Sequence, residues 1–117
     1  MADEPTYTPG RVVWHELLTT DLERSRAFYA GLLGWRVEPT ELGDVTYHRF
    51  HAGDVPIGGV LPVSALAGHE LSPRWLAYVS VEDVDAVAAA AREADGTVLI
   101  PPRDTPPAGR MCLLQDP

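Results

Sequence analysis

The 117 residues include 9 basic and 17 acidic side chains, giving a formal charge of -8 and a sequence pI near 4.7. This balance argues against a nucleic-acid partner, which needs a basic stripe, and against an anionic membrane surface, while it attracts cationic small molecules. With 45% hydrophobic residues the chain suits one compact domain with a modest core, and the negative charge also serves solubility.

Cys112 is the single cysteine, so neither a disulfide framework nor a cysteine-based zinc site is expected. No apolar run approaches the roughly 20 residues of a membrane span, and MADEPTYTPG lacks the apolar core of a signal peptide. A cytoplasmic protein is the expectation.

Residues 1–10 read as a loose lead-in containing Pro5, Pro9 and Gly10. Arg11 to Thr19 is rich in β-formers and reads as a strand. A helix-start signal follows, with Thr20 or Asp21 as N-cap and Glu23 placed to close a capping box with Thr20. The helix then runs to about Leu33, with Leu22, Phe28, Tyr29, Leu32 and Leu33 as its apolar side, and Gly34 supplies a left-handed stop. Strands are expected over Trp35 to Pro39, Asp44 to Ala52 and Pro56 to Pro62, with Gly53-Asp54-Val55 as a turn. Ser64 to Pro73 is a polar linker.

The pattern then returns. Trp75 to Val81 reads as a strand, Asp83 as an N-cap, and Val84 to Ala94 as an alanine-rich helix with Val84, Val87 and Ala91 on one face. Gly96 stops it, Thr97 to Pro101 is a strand, Pro101 to Gly109 a proline-rich loop, and Arg110 to Gln115 a last strand. The two halves keep one register: Asp21 and Asp83, Gly34 and Gly96, Pro39 and Pro101, and Asp54 and Asp116 are each 62 apart. The chain is therefore an α+β fold of two βαβββ modules, 11–63 and 74–117, joined by the linker 64–73. In the first copy a strand follows Asp54; in the second, only Pro117 follows Asp116. The second module thus lacks its fourth strand, and either the sequence belongs to a longer protein or a partner chain covers the open edge.

The segments TTDLERSRAFYAGLLGW, VSVEDVDAVAAAARE and LLQDP resemble the vicinal-oxygen-chelate superfamily, which includes glyoxalase I, bleomycin-resistance proteins and extradiol dioxygenases. The resemblance spans nearly the whole chain. It implies two modules forming a cupped mixed sheet around a small-molecule cavity, often in a homodimer. In the metal-dependent members a ligand histidine stands seven residues before the helix-capping aspartate; here that position is Trp14, and its counterpart in the second module is Leu76 beside Trp75. A further ligand, usually a glutamate, lies on the strand that the second module lacks. V-W-x-E-L followed by T-T-D resembles a subgroup described as glyoxalase-like, hydroxylase-like or resistance-like.

Alternation along the first strand puts Trp14, Glu16 and Leu18 on one face and Val13, His15, Leu17 and Thr19 on the other. Leu17 suits the helix side, so Trp14 and Glu16 are expected to face the cavity. There Glu16 can pair with a cationic ligand stacked on Trp14, act as a general base if burial raises its pKa, or remain a partly solvated strand residue. Tyr47 and Arg49 share a face of the third strand, and Tyr78 is the second-module counterpart of Glu16, so these are further candidate ligand contacts. His48 and His51 are three apart on a strand and face opposite ways, His15 belongs to the helix side and His69 to the linker; the four do not make a metal centre. Cys112 reads as a small core residue, and Gly58-Gly59 as a narrow place where another backbone approaches.

These residues point to a metal-independent small-molecule binding protein, taking an aromatic ligand, cationic ones included, between the two modules, in the manner of resistance proteins that sequester a drug. No cofactor is expected, and a divalent metal is the minority reading. The alternative is a glyoxalase-like lyase, isomerase or oxygenase acting on a small oxygen-rich substrate, with Glu16 as the catalytic group.

Overall fold

The computed structural model describes residues 8–42, 45–66, 71–105 and 109–117. Expectations for Asp44, Gly68 and His69 lie outside the described residues. Among those described, two α-helices and seven strands alternate as the repeat predicts: β1 (Val12–Thr19), α1 (Leu22–Leu33), β2 (Arg36–Leu42), β3 (Val45–Ala52), β4 (Val55–Pro62), β5 (Arg74–Val79), α2 (Val84–Glu93), β6 (Thr97–Thr105) and β7 (Gly109–Gln115). A 3-10 turn at Val63–Leu66 occupies the start of the expected linker. The α+β class holds.

Residues 12–79 form one compact unit. Its sheet has the order β2-β3-β4-β1-β5, with β1 parallel to β4 and every other neighbouring pair antiparallel. The compact unit therefore takes in β5, the strand after the linker, because β5 pairs with β1 from Leu18–Arg74 to Val12–Val79. Gly58 permits the approach of β4 to β1, since a Cβ there would stand 2.8 Å from the His15 carbonyl oxygen.

One face of this sheet carries the core. Leu17, Phe50 and Val60 are buried together, and Leu22, Tyr29, Trp35, Val37 and Ile57 pack around them. Tyr29 links helix to sheet: its ring stacks on Trp35 with centroids 5.3 Å apart, meets Phe50 edge-on at 5.4 Å, and its hydroxyl accepts from Trp75 Nε1 at 2.9 Å. The apolar side of α1 is narrower than its sequence predicts. Leu22 and Tyr29 turn inward, but Phe28, Leu32 and Leu33 are 60%, 63% and 52% exposed, and no residue of α1 is fully buried. Apolar residues spread over more of a helical turn than one sheet face can cover leave some of them in solvent.

The start of α1 also departs from expectation in its partners. Asp21 is the N-cap and accepts from the Arg24 backbone N–H at 3.0 Å, while Thr19 rather than Thr20 supports the entry, its hydroxyl accepting from the Asp21 N–H at 3.0 Å. Glu23 makes no capping box; it pairs with Arg26 at 2.8 Å. Gly34 closes the helix at φ 72°, a left-handed stop that glycine adopts without a Cβ penalty.

The second unit, described over residues 8–11, 80–105 and 109–117, repeats the device. Asp83 caps α2 by accepting from the Ala86 N–H at 3.0 Å with backbone angles close to those of Asp21. Asp21→Ala and Asp83→Ala are each expected to lower the unfolding free energy by about 1 kcal/mol in urea titration. At the other end the left-handed residue is Asp95, at φ 67°, and not Gly96. Gly96 is needed for proximity, because a Cβ would lie 3.0 Å from the Ala91 carbonyl oxygen. Among its described residues Ala88 and Ile100 are buried.

The strand β6 runs on through Pro101 and Pro102 to Thr105, where a loop is expected from the prolines. Its pairing with β7 slips at Val98/Ile100 and again at Ile100/Arg103, and the second slip spans both prolines, which have no N–H to give the ladder. β6 and β7 form a separate two-stranded sheet. In the first module β4 joins β3 to β1 through hydrogen bonds on both its edges.

Candidate functional site

The face of the five-stranded sheet opposite the aromatic core carries Glu16. It is 4% exposed, next in sequence to core residue Leu17, and the two-residue period of β1 turns it to the other side. A register shift between Val12 and Trp14 sets Trp14 directly across from Tyr78, and Glu16 across from Leu76. Tyr78 then reaches diagonally, and its hydroxyl donates to Glu16 Oε1 at 3.0 Å.

Tyr47 arrives from further away. It stands on β3, with β4 between it and β1, a separation of roughly 10 Å at two strand spacings. Its phenol crosses β4 above Gly59, which is the register partner of both Glu16 and Arg49. A Cβ on Gly59 would fall on the Tyr47 hydroxyl and on Glu16 Oε2. With only hydrogen there, the Tyr47 hydroxyl donates to Glu16 Oε2 and accepts from Trp14 Nε1 at 3.1 Å. The result is a continuous chain from Trp14 through Tyr47 to Glu16, met from the other side by Tyr78.

Burial pushes the Glu16 carboxyl above its ordinary pKa, and the two phenol hydrogen bonds oppose that shift without cancelling it. Tyr47 is held well above the usual tyrosine range, first by burial and then by its hydrogen bond to Glu16 and the carboxylate's charge. Tyr47 is thus a proton donor throughout the neutral range. Both carboxylate oxygens of Glu16 are engaged by phenols, so Glu16 does not offer a bare ion pair to an incoming cation.

Of the sequence-derived candidates, the structure brings Trp14, Glu16, Tyr47 and Tyr78 into one hydrogen-bonded group. Arg49 shares the face but not that group; its Nε donates to Thr40 Oγ1 at 3.1 Å. Gly59 was not among the candidates as a site residue. The Gly58-Gly59 pair signalled a close approach, but at Gly59 the approaching atoms are site side chains and not backbone.

At the two positions where metal-dependent members carry a ligand, Trp14 and Leu76 offer no donor, and among the described residues no three of His, Cys, Asp and Glu converge on one point. His15 is exposed, and His51 is buried beside Glu38, with Nε2 3.5 Å from Glu38 Oε2. Cys112 is part-buried and its thiol pKa is raised, chiefly by burial, which disfavours the thiolate.

A groove of about 400 Å³ opens beside the start of α1, lined in part by Thr19, Ser25, Phe28, Arg74 and Trp75. It lies on the helix side of the sheet. Its charged residues Asp21, Arg24 and Arg74 are exposed, whereas the opposite face holds the buried carboxylate. A buried ionisable group among polar partners is the stronger sign of a site. No helix among the described residues is long and apolar enough to cross a membrane.

Comparison with known proteins places this geometry in context. A family model described as the Glyoxalase/Bleomycin resistance protein/Dioxygenase superfamily matches residues 11–117. The chain is 35% identical over 111 residues to a protein of Mycobacterium tuberculosis named "Putative glyoxylase CFP32", covering 92% of this chain and 41% of that protein. It is 37% identical over 114 residues to the anthracycline biosynthesis protein DnrV of Streptomyces peucetius, covering 97% of this chain and 40% of DnrV. The chain thus spans about two fifths of the length of these relatives. The chain belongs to the glyoxalase/bleomycin resistance protein/dioxygenase superfamily.

Proposed function

We propose that this chain binds an aromatic small molecule, without a metal ion, on the sheet face that carries Trp14, Glu16, Tyr47 and Tyr78. The observation that supports this reading is the buried Glu16 carboxylate taking a phenol hydrogen bond on each oxygen beside an indole. Such an arrangement is rigid, because every partner is fixed by another, and it presents flat apolar surface with polar tips. A ligand ring stacks on Trp14, and a donor group of the ligand, ammonium included, meets phenol oxygens whose charge is reinforced by Glu16. Pairing of two chains belongs to the same reading, and solution mass tests it.

Titration with aromatic compounds while following tryptophan emission and heat is the direct test. Saturable binding is expected, weakened about tenfold or more in Trp14→Ala, the scale of a lost aromatic anchor. Affinity unchanged in both Trp14→Ala and Tyr47→Phe would remove the site from this face.

One observation favours a second reading. The raised pKa of Glu16, next to a phenol that keeps its proton, suits a general base and acid acting on a small oxygen-rich substrate. Turnover of a candidate substrate, lost in Glu16→Gln with folding retained, would establish the lyase, isomerase or oxygenase reading.

A further inference from the structure

Arg49 stands on the same sheet face as Glu16, with only Gly59 between them: Arg49 and Gly59 are register partners, and so are Gly59 and Glu16. The guanidinium is half-buried. Its Nε is used by Thr40 Oγ1, and among the described residues its terminal nitrogens have no partner.

The acidic group best placed to neutralise it is directed elsewhere. Glu38 is the register partner of Arg49 on β2, but its carboxylate binds Arg36 at 2.8 Å through Oε1 and faces His51 at 3.5 Å through Oε2. Glu16, the other carboxylate on the face, is closed off by Tyr47 and Tyr78. Among the described residues, the part-buried arginine beside the candidate site thus has no carboxylate counter-ion. A desolvated charge is costly unless paired, and a guanidinium offers a planar fork of donors that matches a carboxylate.

Resting on the binding function proposed above, we infer that the ligand of this site carries a planar oxyanion, a carboxylate in the simplest case, received by the terminal nitrogens of Arg49 while its ring lies toward Trp14 and Tyr47. Tyr47 and Arg49 are two residues apart on β3 and share a face, so one ligand lying along that strand can reach both the phenol and the guanidinium. The ligand is then an aromatic acid, with any donor group at the tyrosine end and its oxyanion at the Arg49 end.

The test uses two probes of equal shape, 2-naphthoate and 2-naphthamide, titrated into the full chain and into Arg49→Gln. The wild type is expected to bind the acid at least about tenfold more tightly than the amide, the worth of one charge-assisted hydrogen bond. In Arg49→Gln that ratio should fall close to one while amide affinity stays within about threefold, less than half a decade of affinity. A wild-type ratio near one, or a ratio that persists in Arg49→Gln, would overturn the inference and leave the aromatic site standing. Loss of both probes in Arg49→Gln would overturn it too, because Arg49 would then be holding the site together and not reading charge. If neither probe saturates the wild type, both the inference and the binding function fall.

Discussion

Gly59→Ala is expected to abolish saturable binding of aromatic ligands at the Glu16 face and to lower the unfolding free energy by about 2–5 kcal/mol. The added methyl group would occupy the space now shared by the Tyr47 hydroxyl and Glu16 Oε2, so one or both must move. Neither moves at low cost. Glu16 sits on a central strand between β4 and β5 and is 4% exposed, so displacing Tyr47 strips a buried carboxylate of one of its two donors. Tyr47 in turn gives up the hydrogen bond from Trp14. The double variant Gly59→Ala/Tyr47→Ala provides the internal check. With the phenol gone, much of the clash is gone, so the two changes should be non-additive and the double variant should recover part of the stability without recovering binding. Urea denaturation and a binding titration on the four proteins of the cycle measure both effects. A Gly59→Ala protein within about 0.5 kcal/mol of wild type, the size of an ordinary surface substitution, with binding intact would remove Gly59 from the site.

The readable parts of this molecule are those set by local period and by repetition. The offset of 62 residues places Asp21 and Asp83 as equivalent caps, and their backbone angles and acceptor geometry agree. Two-residue alternation puts Trp14 and Glu16 on one face and Leu17 on the other, as found. The same offset links Glu16 to Tyr78, and the two prove to be hydrogen-bonded because β1 and β5 pair antiparallel.

What could not be read is contact across strands that are not neighbours. The meeting of Tyr47 with Glu16 depends on the order β3-β4-β1 and on the absence of a side chain at Gly59, neither of which a period reveals. Nor could pattern alone tell which apolar residues of α1 are covered. Tyr29 finds Trp35, Phe50 and Trp75, while Phe28 at the preceding position meets the edge of the Tyr29 ring at 5.0 Å and stays 60% exposed. Pro101 and Pro102 misled in the opposite direction: prolines signal a break, yet a two-stranded sheet with slipped register accommodates them.

The second large effect concerns how stability varies with pH in Glu16→Gln. In the folded chain the Glu16 carboxyl lies above its ordinary value of 4.5, because burial outweighs the two phenol donors. Between 4.5 and its raised value the folded state therefore holds a proton that the unfolded state has released. Unfolding free energy then falls as pH rises through that window, so the contribution of Glu16 is greatest below 4.5 and smallest above the folded value. The Glu16→Gln protein has no such dependence at this position. The amide accepts from one tyrosine through oxygen and donates to the other through nitrogen, as the protonated carboxyl does through its hydroxyl, so at low pH the variant should lie within about 1 kcal/mol of wild type. As pH rises from 4.5 the variant is expected to gain on the wild type, since only the wild type bears the cost of a buried charge. Paired urea titrations of both proteins across this range measure the difference directly. A constant difference would mean that the carboxyl is not shifted, and a variant that instead loses ground would mean that Tyr47 and Tyr78 stabilise the carboxylate more than burial disfavours it. Either result would change what a ligand meets at this face, because a raised pKa marks a carboxylate held against desolvation, whereas a lowered one marks an anion already satisfied by its two phenols.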